Sequence, residues 1–178
     1  SGGKRIRPAL VLLISRMLGA KGERDIRYGA VVEFIHSATL IHDDIIDGSD
    51  TRRGVPSVHA RYGQTVAVLS GDLLFARCFR LAGEHASPAN ARLLARLVET
   101  ICVAEVRQDL SAFDFKIGRR EYLRRVSGKT AALFSLAFHA GASEAKATIL
   151  VTQRLRRIGW ALGMAFQIVD DVLDYEGC

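Results

Sequence analysis

Two short segments, His42-Asp43-Asp44-Ile45-Ile46-Asp47 and Val169-Asp170-Asp171-Val172-Leu173-Asp174, repeat the pattern Asp-Asp-x-x-Asp. On a helix, residues four apart are separated by about 40° around the axis and about 6 Å along it. Asp43 therefore stands over Asp47, and Asp170 over Asp174, each pair presenting two carboxylates on one face as ligands for hard divalent cations. Solvated helix ends are the plain alternative, but a carboxylate at a helix C-terminus opposes the macrodipole at about 0.3–1 kcal/mol each. The segments leading into the clusters, Ala38-Thr39-Leu40-Ile41 and Trp160-Ala161-Leu162-Gly163-Met164-Ala165-Phe166, are apolar almost all round. Two helices inside a bundle are expected, with acidic ends that need a counter-charge, and divalent metal is the simplest one.

Cations surround this acidic chemistry. Gly2-Gly3-Lys4-Arg5-Ile6-Arg7-Pro8 puts three of them beside two glycines at a helix start, a plausible anion clamp. Arg52-Arg53-Gly54 follows Asp47 by five residues, on the way out of the first cluster. His36 lies two helical turns before Asp43 on the same face. Lys129-Thr130 and Gln167 interrupt apolar stretches, and a lysine on an inward face needs an anion. Gln167 is three residues before Asp170 and so lines the second pair. Arg119-Arg120, Arg124-Arg125 and Arg154-Arg156-Arg157 read as solvated faces.

The elements that must position these residues are helices. Only Pro8, Pro56 and Pro88 occur, and no alternating β-branched run lies between paired turn signals. The fold class is all-α, an antiparallel bundle forming one domain over residues 1–178. Helices are expected over about Pro8–Leu18 (ended by Gly19 and Gly22), Asp25–Asp47, a stretch ending near Glu84, Ser87–Phe113, Arg120–His139, and from a Ser143 cap to Tyr175. Ser49–Gln64 reads as a loop.

Lys and Arg number 25 against 19 Asp and Glu, a net charge of +6, and 20 of the 25 are Arg. Such a balance suits anionic partners, but aromatics are only 7% and the acidic residues are clustered as tightly as the basic ones, so nucleic acid is not expected. Cys78, Cys102 and Cys178 are too far apart for a disulfide framework or a zinc site. No uncharged apolar run reaches the ~18 residues of a membrane span, so no stable membrane insertion and a cytoplasmic location are expected.

A metal-bearing acidic mouth ringed by cations above an apolar interior suits a substrate with a diphosphate head and a hydrocarbon tail. Metals and Arg would stabilise a departing diphosphate, and apolar helix faces would keep the resulting cation from water.

Gly3-Lys4-Arg5-Ile6-Arg7-Pro8, Leu40 to Gly54, Gly71-Asp72, Lys129-Thr130-Ala131 and Phe166 to Asp174 resemble, in order, the motifs of the trans-isoprenyl diphosphate synthases, or polyprenyl synthetases. The likeness covers the whole chain and is nearest to medium- and long-chain polyprenyl diphosphate synthases such as octaprenyl diphosphate synthase. It implies an isoprenoid synthase-type bundle with a central cavity and head-to-tail, all-trans condensation of isopentenyl diphosphate with an allylic prenyl diphosphate. By the same resemblance Lys4, Arg7, His36 and Arg53 bind isopentenyl diphosphate. Asp43, Asp47, Asp170 and Asp174 hold two or three Mg²⁺ ions, with Mn²⁺ a substitute. Arg52, Lys129, Thr130 and Gln167 contact the allylic diphosphate. Asp44 and Asp171 support the ligands, and the six aspartates with Lys129 form the catalytic set. Ile35, Ala38 and Thr39 bound the tail below the first pair; none is aromatic, which in this family goes with medium or long products. A homodimer is implied too, with apolar helices such as Arg92 to Val106 able to supply the interface. Members of the family are longer, so a fragment is expected. The rival readings are a class I terpene cyclase, which the Gly3–Arg7 clamp and the second full cluster oppose, and a non-catalytic subunit, which has no physical need for paired metal ligands. A purely structural bundle leaves six inward carboxylates unexplained.

Overall fold

The computed structural model describes residues 5–21, 23–110 and 118–177. Among them the chain is α-helical with one small ribbon. The elements are α1 (Ile6–Met17), α2 (Arg24–Ile46), β1 (Thr51–Arg52), β2 (Val55–Pro56), α3 (Val58–Tyr62), α4 (Gln64–His85), α5 (Pro88–Leu110), α6 (Arg119–Val126), a π-helical turn (Ser127–Ala131), α7 (Ala132–Glu144) and α8 (Ile149–Glu176). The all-α expectation holds. No described helix is long and apolar enough to cross a membrane.

The core forms around α7, whose Leu133, Phe134, Leu136, Ala137, Phe138 and Ala140 are all buried. α1, α2 and α8 pack on it, and α4 covers the other side of α2. α2 contributes Val31, Val32, Ile35 and Ala38 to this core. Burying Val31, Val32 and Ile35 stabilises the fold by roughly 1.5–3 kcal/mol each, which holds the acidic C-terminal end of α2 on a fixed axis.

Four readings of the sequence are corrected. The single helix expected over Arg120–His139 is interrupted by the π turn, which re-aims the side chains of Lys129 and Thr130. Ser143 does not cap the last helix: it belongs to α7 and accepts Asn90 Nδ2 at 2.8 Å, while Thr148 caps α8 by accepting the Val151 amide at 3.3 Å. The Ser49–Gln64 loop contains the ribbon and α3, elements too short to show a period. Its turn places both Arg53 (φ 52°) and Gly54 (φ 76°) in the left-handed region that two-residue hairpin turns require.

The fourth correction concerns α8, expected to lie inside the bundle. Only Gly159, Gly163 and Met164 are buried there, whereas Trp160, Leu162, Phe166 and Val169 remain 39% to 56% exposed. The glycines explain the one-sided contact: a Cβ on Gly163 would stand 2.6 Å from Ala131 Cα, so α8 approaches the π turn along a narrow seam. Apolar composition reported the helix's character, not what lies beside each face. The expected helix ends at Gly22 and Phe113 lie outside the described residues.

Candidate functional site

α2 delivers the first carboxylate cluster. Asp43 and Asp44 are 8% and 4% exposed, while Asp47 is exposed at the helix end. Burial pushes the Asp43 carboxyl up to about 6, against the pull of Lys129. Lys129 Nζ stands 3.5 Å from Asp43 Oδ2 and 3.0 Å from Glu105 Oε1. Burial acts to lower the Lys129 pKa, and the two carboxylates outweigh it, so its net direction is upward. Glu105 was missed in the sequence. Its signal is a lone carboxylate in Val103-Ala104-Glu105-Val106, the same kind of interruption that exposed Lys129.

Arg52, carried by β1, folds back over α2: its Nε donates to Asp44 Oδ1 at 2.7 Å and Nη2 lies 2.5 Å from the same oxygen. The guanidinium that the sequence aimed at a diphosphate is thus engaged with Asp44. The neighbouring Arg53 is exposed.

A second cationic group lies where α1 crosses α2. Arg7 Nη1 is 3.0 Å from His36 Nε2. The guanidinium has only donors, so Nε2 accepts and the neutral ring carries its proton on Nδ1. Burial, with Arg7, Arg53 and Arg52 adding to it, pushes His36 down to about 3. Arg7 lies over the Phe134 ring at 4.9 Å, and burial lowers its pKa to about 10. Its Nε is buried without a hydrogen-bond partner. A half-buried cation with a spare donor beside a neutral imidazole has the chemistry to hold an anion. Lys4 lies outside the described residues.

The π turn and α8 build the second half. Thr130 Oγ1 donates to Gln167 Oε1 at 2.6 Å, and Gln167 Nε2 donates to Asp171 Oδ1 at 2.8 Å. Tyr122 on α6 donates to Asp171 Oδ2 at 2.7 Å, which raises the phenol's pKa. No spacing rule marks Tyr122 in the sequence. Asp170 and Asp174 are exposed on the last turns of α8. Below the first cluster Ile35 and Ala38 are fully buried, and Thr39 donates its hydroxyl to His36 O at 2.9 Å.

Among the described residues no three His, Cys, Asp or Glu side chains are grouped closely enough to enclose a metal ion. The candidate donors are two separate carboxylate pairs, hard oxygens one helical turn apart. Mg²⁺ is commonly held by one or two carboxylates together with water and substrate phosphates, and this donor set fits that mode of binding.

The sequence matches the family model for polyprenyl synthetase over residues 1–178. It is 40% identical over 175 residues to an octaprenyl diphosphate synthase of Haemophilus influenzae, covering 98% of this chain and 53% of that one. It is 40% identical over 177 residues to heptaprenyl diphosphate synthase component 2 of Geobacillus stearothermophilus, covering 99% and 55%. The fold matches a polyprenyl synthase from Caulobacter crescentus complexed with calcium and isoprenyl diphosphate, with a TM-score of 0.95, 42% identity, and coverage of 99% and 54%. A decaprenyl diphosphate synthase from Rhodobacter capsulatus matches with a TM-score of 0.94, 44% identity, and coverage of 98% and 54%. The chain spans about half the length of the curated relatives it matches.

Proposed function

The chain belongs to the polyprenyl synthetase family, and from that membership we propose that it carries the catalytic half of a trans-prenyltransferase making medium- or long-chain polyprenyl diphosphates. The observation that carries this reading is the π turn. Its consecutive residues Lys129 and Thr130 reach the first carboxylate cluster at Asp43 and the second at Asp171 through Gln167. A single backbone feature therefore spans two acidic groups, as a site for one diphosphate between them requires.

In the proposed reaction the allylic C–O bond breaks, pyrophosphate leaves with the electron pair, and the isopentenyl double bond attacks the allylic carbon. A proton is then lost to the released pyrophosphate. Asp43, Asp47, Asp170 and Asp174 would hold Mg²⁺, which when bound would supply Lewis-acid stabilisation of the leaving diphosphate. Lys129, Thr130 and Gln167 orient that group, and Arg52 keeps Asp44 in place behind it. Arg7, His36, Arg53 and Lys4 bind isopentenyl diphosphate, with neutral His36 able to donate from Nδ1. Phe134 and Ile35, both buried, form dry core behind these polar groups, with the Phe134 ring under the Arg7 guanidinium.

Small Ala38 and Thr39 below the first pair support a long product. The names of the relatives span heptaprenyl, octaprenyl and geranylgeranyl diphosphate synthases. Exposed Leu69, Leu73 and Val106 on α4 and α5 support self-association as a homodimer. The component 2 name of the Geobacillus relative favours a second reading, in which the activity needs a different subunit.

The test incubates this chain, and the full-length gene product, with Mg²⁺, farnesyl diphosphate and labelled isopentenyl diphosphate, and chromatographs the dephosphorylated products. A ladder of all-trans polyprenols is the expected result. Intact or cyclised farnesyl diphosphate from the full-length protein overturns the reading.

A further inference from the structure

Tyr122 stands outside both aspartate clusters, yet it ends a hydrogen-bond chain that runs through three elements. Its hydroxyl donates to one oxygen of Asp171, Gln167 donates to the other, and Thr130 donates to Gln167, all at 2.6–2.8 Å. The directions are fixed by chemistry. Ionised Asp171 can only accept, so the Gln167 amide must turn Nε2 to it and leave Oε1 for the threonine hydroxyl.

The packing of α8 gives this chain its importance. The buried residues of α8 stop at Met164, so its last three turns, which bear Asp170 and Asp174, have no buried apolar anchor among the described residues. Beyond the Phe166 ring, which packs on Phe134 at 5.4 Å between centroids, the side-chain contacts that tie that end to the bundle among the described residues are polar: Gln167 on the π turn and Asp171 on Tyr122. Asp171 precedes Asp174 by three residues and follows Asp170 directly, so fixing its side chain fixes the azimuth of both.

We propose that Tyr122 is a positioning residue: its hydroxyl, acting through Asp171, holds the end of α8 so that Asp170 and Asp174 face the diphosphate site. The inference rests on the proposed role of those two carboxylates in holding a divalent cation with a diphosphate.

The test is Tyr122→Phe in the full-length protein, which keeps the ring and removes one donor. Mn²⁺ binding is measured by electron paramagnetic resonance in the presence of inorganic pyrophosphate, alongside steady-state prenyl transfer and thermal melting. Losing one hydrogen bond to a charged group corresponds to about tenfold weaker Mn²⁺ affinity and about tenfold lower kcat. The KM for isopentenyl diphosphate is expected to stay unchanged, because the Arg7–His36 group is untouched. In an Asp171→Ala background the same change is expected to add less than about twofold, since the relay is already broken.

Wild-type Mn²⁺ affinity in Tyr122→Phe, or losses that simply multiply in the double variant, overturns the inference. So does a rise in the isopentenyl diphosphate KM together with a fall in melting temperature of more than about 10 °C, the mark of a structural residue. A wild-type protein that binds Mn²⁺ and pyrophosphate but transfers no prenyl group overturns the functional reading, while the binding comparison still decides the role of Tyr122. Absence of Mn²⁺ binding in the wild type overturns both.

Discussion

The Lys129 ammonium stands 3.5 Å from the Asp43 carboxylate while also lying 3.0 Å from Glu105, so a single cation answers carboxylates from α2 and α5. That cation is not enough to offset burial at Asp43, whose pKa rises from 3.8 to about 6. The folded carboxyl holds its proton more tightly than the unfolded one. Its contribution to stability is therefore complete below about pH 4 and is lost as pH rises through about 6. Asp43→Asn is expected to remove this slope, making the metal-free protein about 2 kcal/mol less sensitive to a change from pH 4 to pH 7. Urea melts of both proteins across that range check it. Parallel pH dependences would mean that Asp43 titrates normally.

His36 predicts the opposite sign. Its folded pKa is lowered from 6.5 to about 3, first by burial and then by Arg7. The stability linked to its neutral ring is present above pH 6.5 and is lost as pH falls toward 3. Heteronuclear NMR of the imidazole should find it neutral at pH 5, with Nδ1 protonated. Inorganic pyrophosphate bound at Arg7 should raise the His36 pKa, because an anion there offsets the guanidinium charge. A ring that titrates near 6.5 with or without pyrophosphate would contradict the Arg7–His36 geometry.

Gly71 is required by a side chain on another helix. A Cβ at this position would stand 2.2 Å from His42 Nε2, within a contact in which His42 also lies 3.2 Å from Val68 O. Gly→Ala inside a helix ordinarily stabilises by up to about 1 kcal/mol. Here that gain is offset, and Gly71→Ala is expected to destabilise by up to about 1 kcal/mol, because the end of the partly exposed His42 side chain must swing away and give up its contact with Val68 O. His42→Ala should recover most of that loss in the double variant. Thermal melting of the four proteins in the cycle gives the coupling, and additive effects would rule out the contact.

Much of this was legible in the sequence because it is local. The period of 3.6 residues alone aligns Asp43 with Asp47 and Asp170 with Asp174, and the interruption of apolar stretches exposed Lys129, Thr130 and Gln167. Contacts between elements were not legible. Glu105 meets Lys129 across 24 residues and Tyr122 meets Asp171 across 49, distances at which no local spacing rule operates. The sequence puts Arg52 on the way to a diphosphate, but nothing in Arg-Arg-Gly says that the ribbon also folds it onto Asp44. The half-exposed α8 shows the same limit: an apolar helix looks identical in sequence whether one face or all faces are covered.

The tail-binding reading makes its sharpest prediction at Thr39. Ile35 and Ala38 are both fully buried, so a phenylalanine at either would overpack the core at about 1–3 kcal/mol or more. Thr39 is only half-buried, and its hydroxyl bonds back to His36 O on its own helix. Losing that local bond costs little, since a Thr hydroxyl bonded back to its own helix adds little to helix stability. Thr39→Phe should therefore fold with nearly unchanged stability while placing a ring one turn below Asp43. Elongation should then stop early, with chromatography of the dephosphorylated products showing the distribution collapsed onto the shortest polyprenols and the first condensation retained. An unchanged product ladder from a folded Thr39→Phe protein would mean that the growing tail does not run along this face of α2.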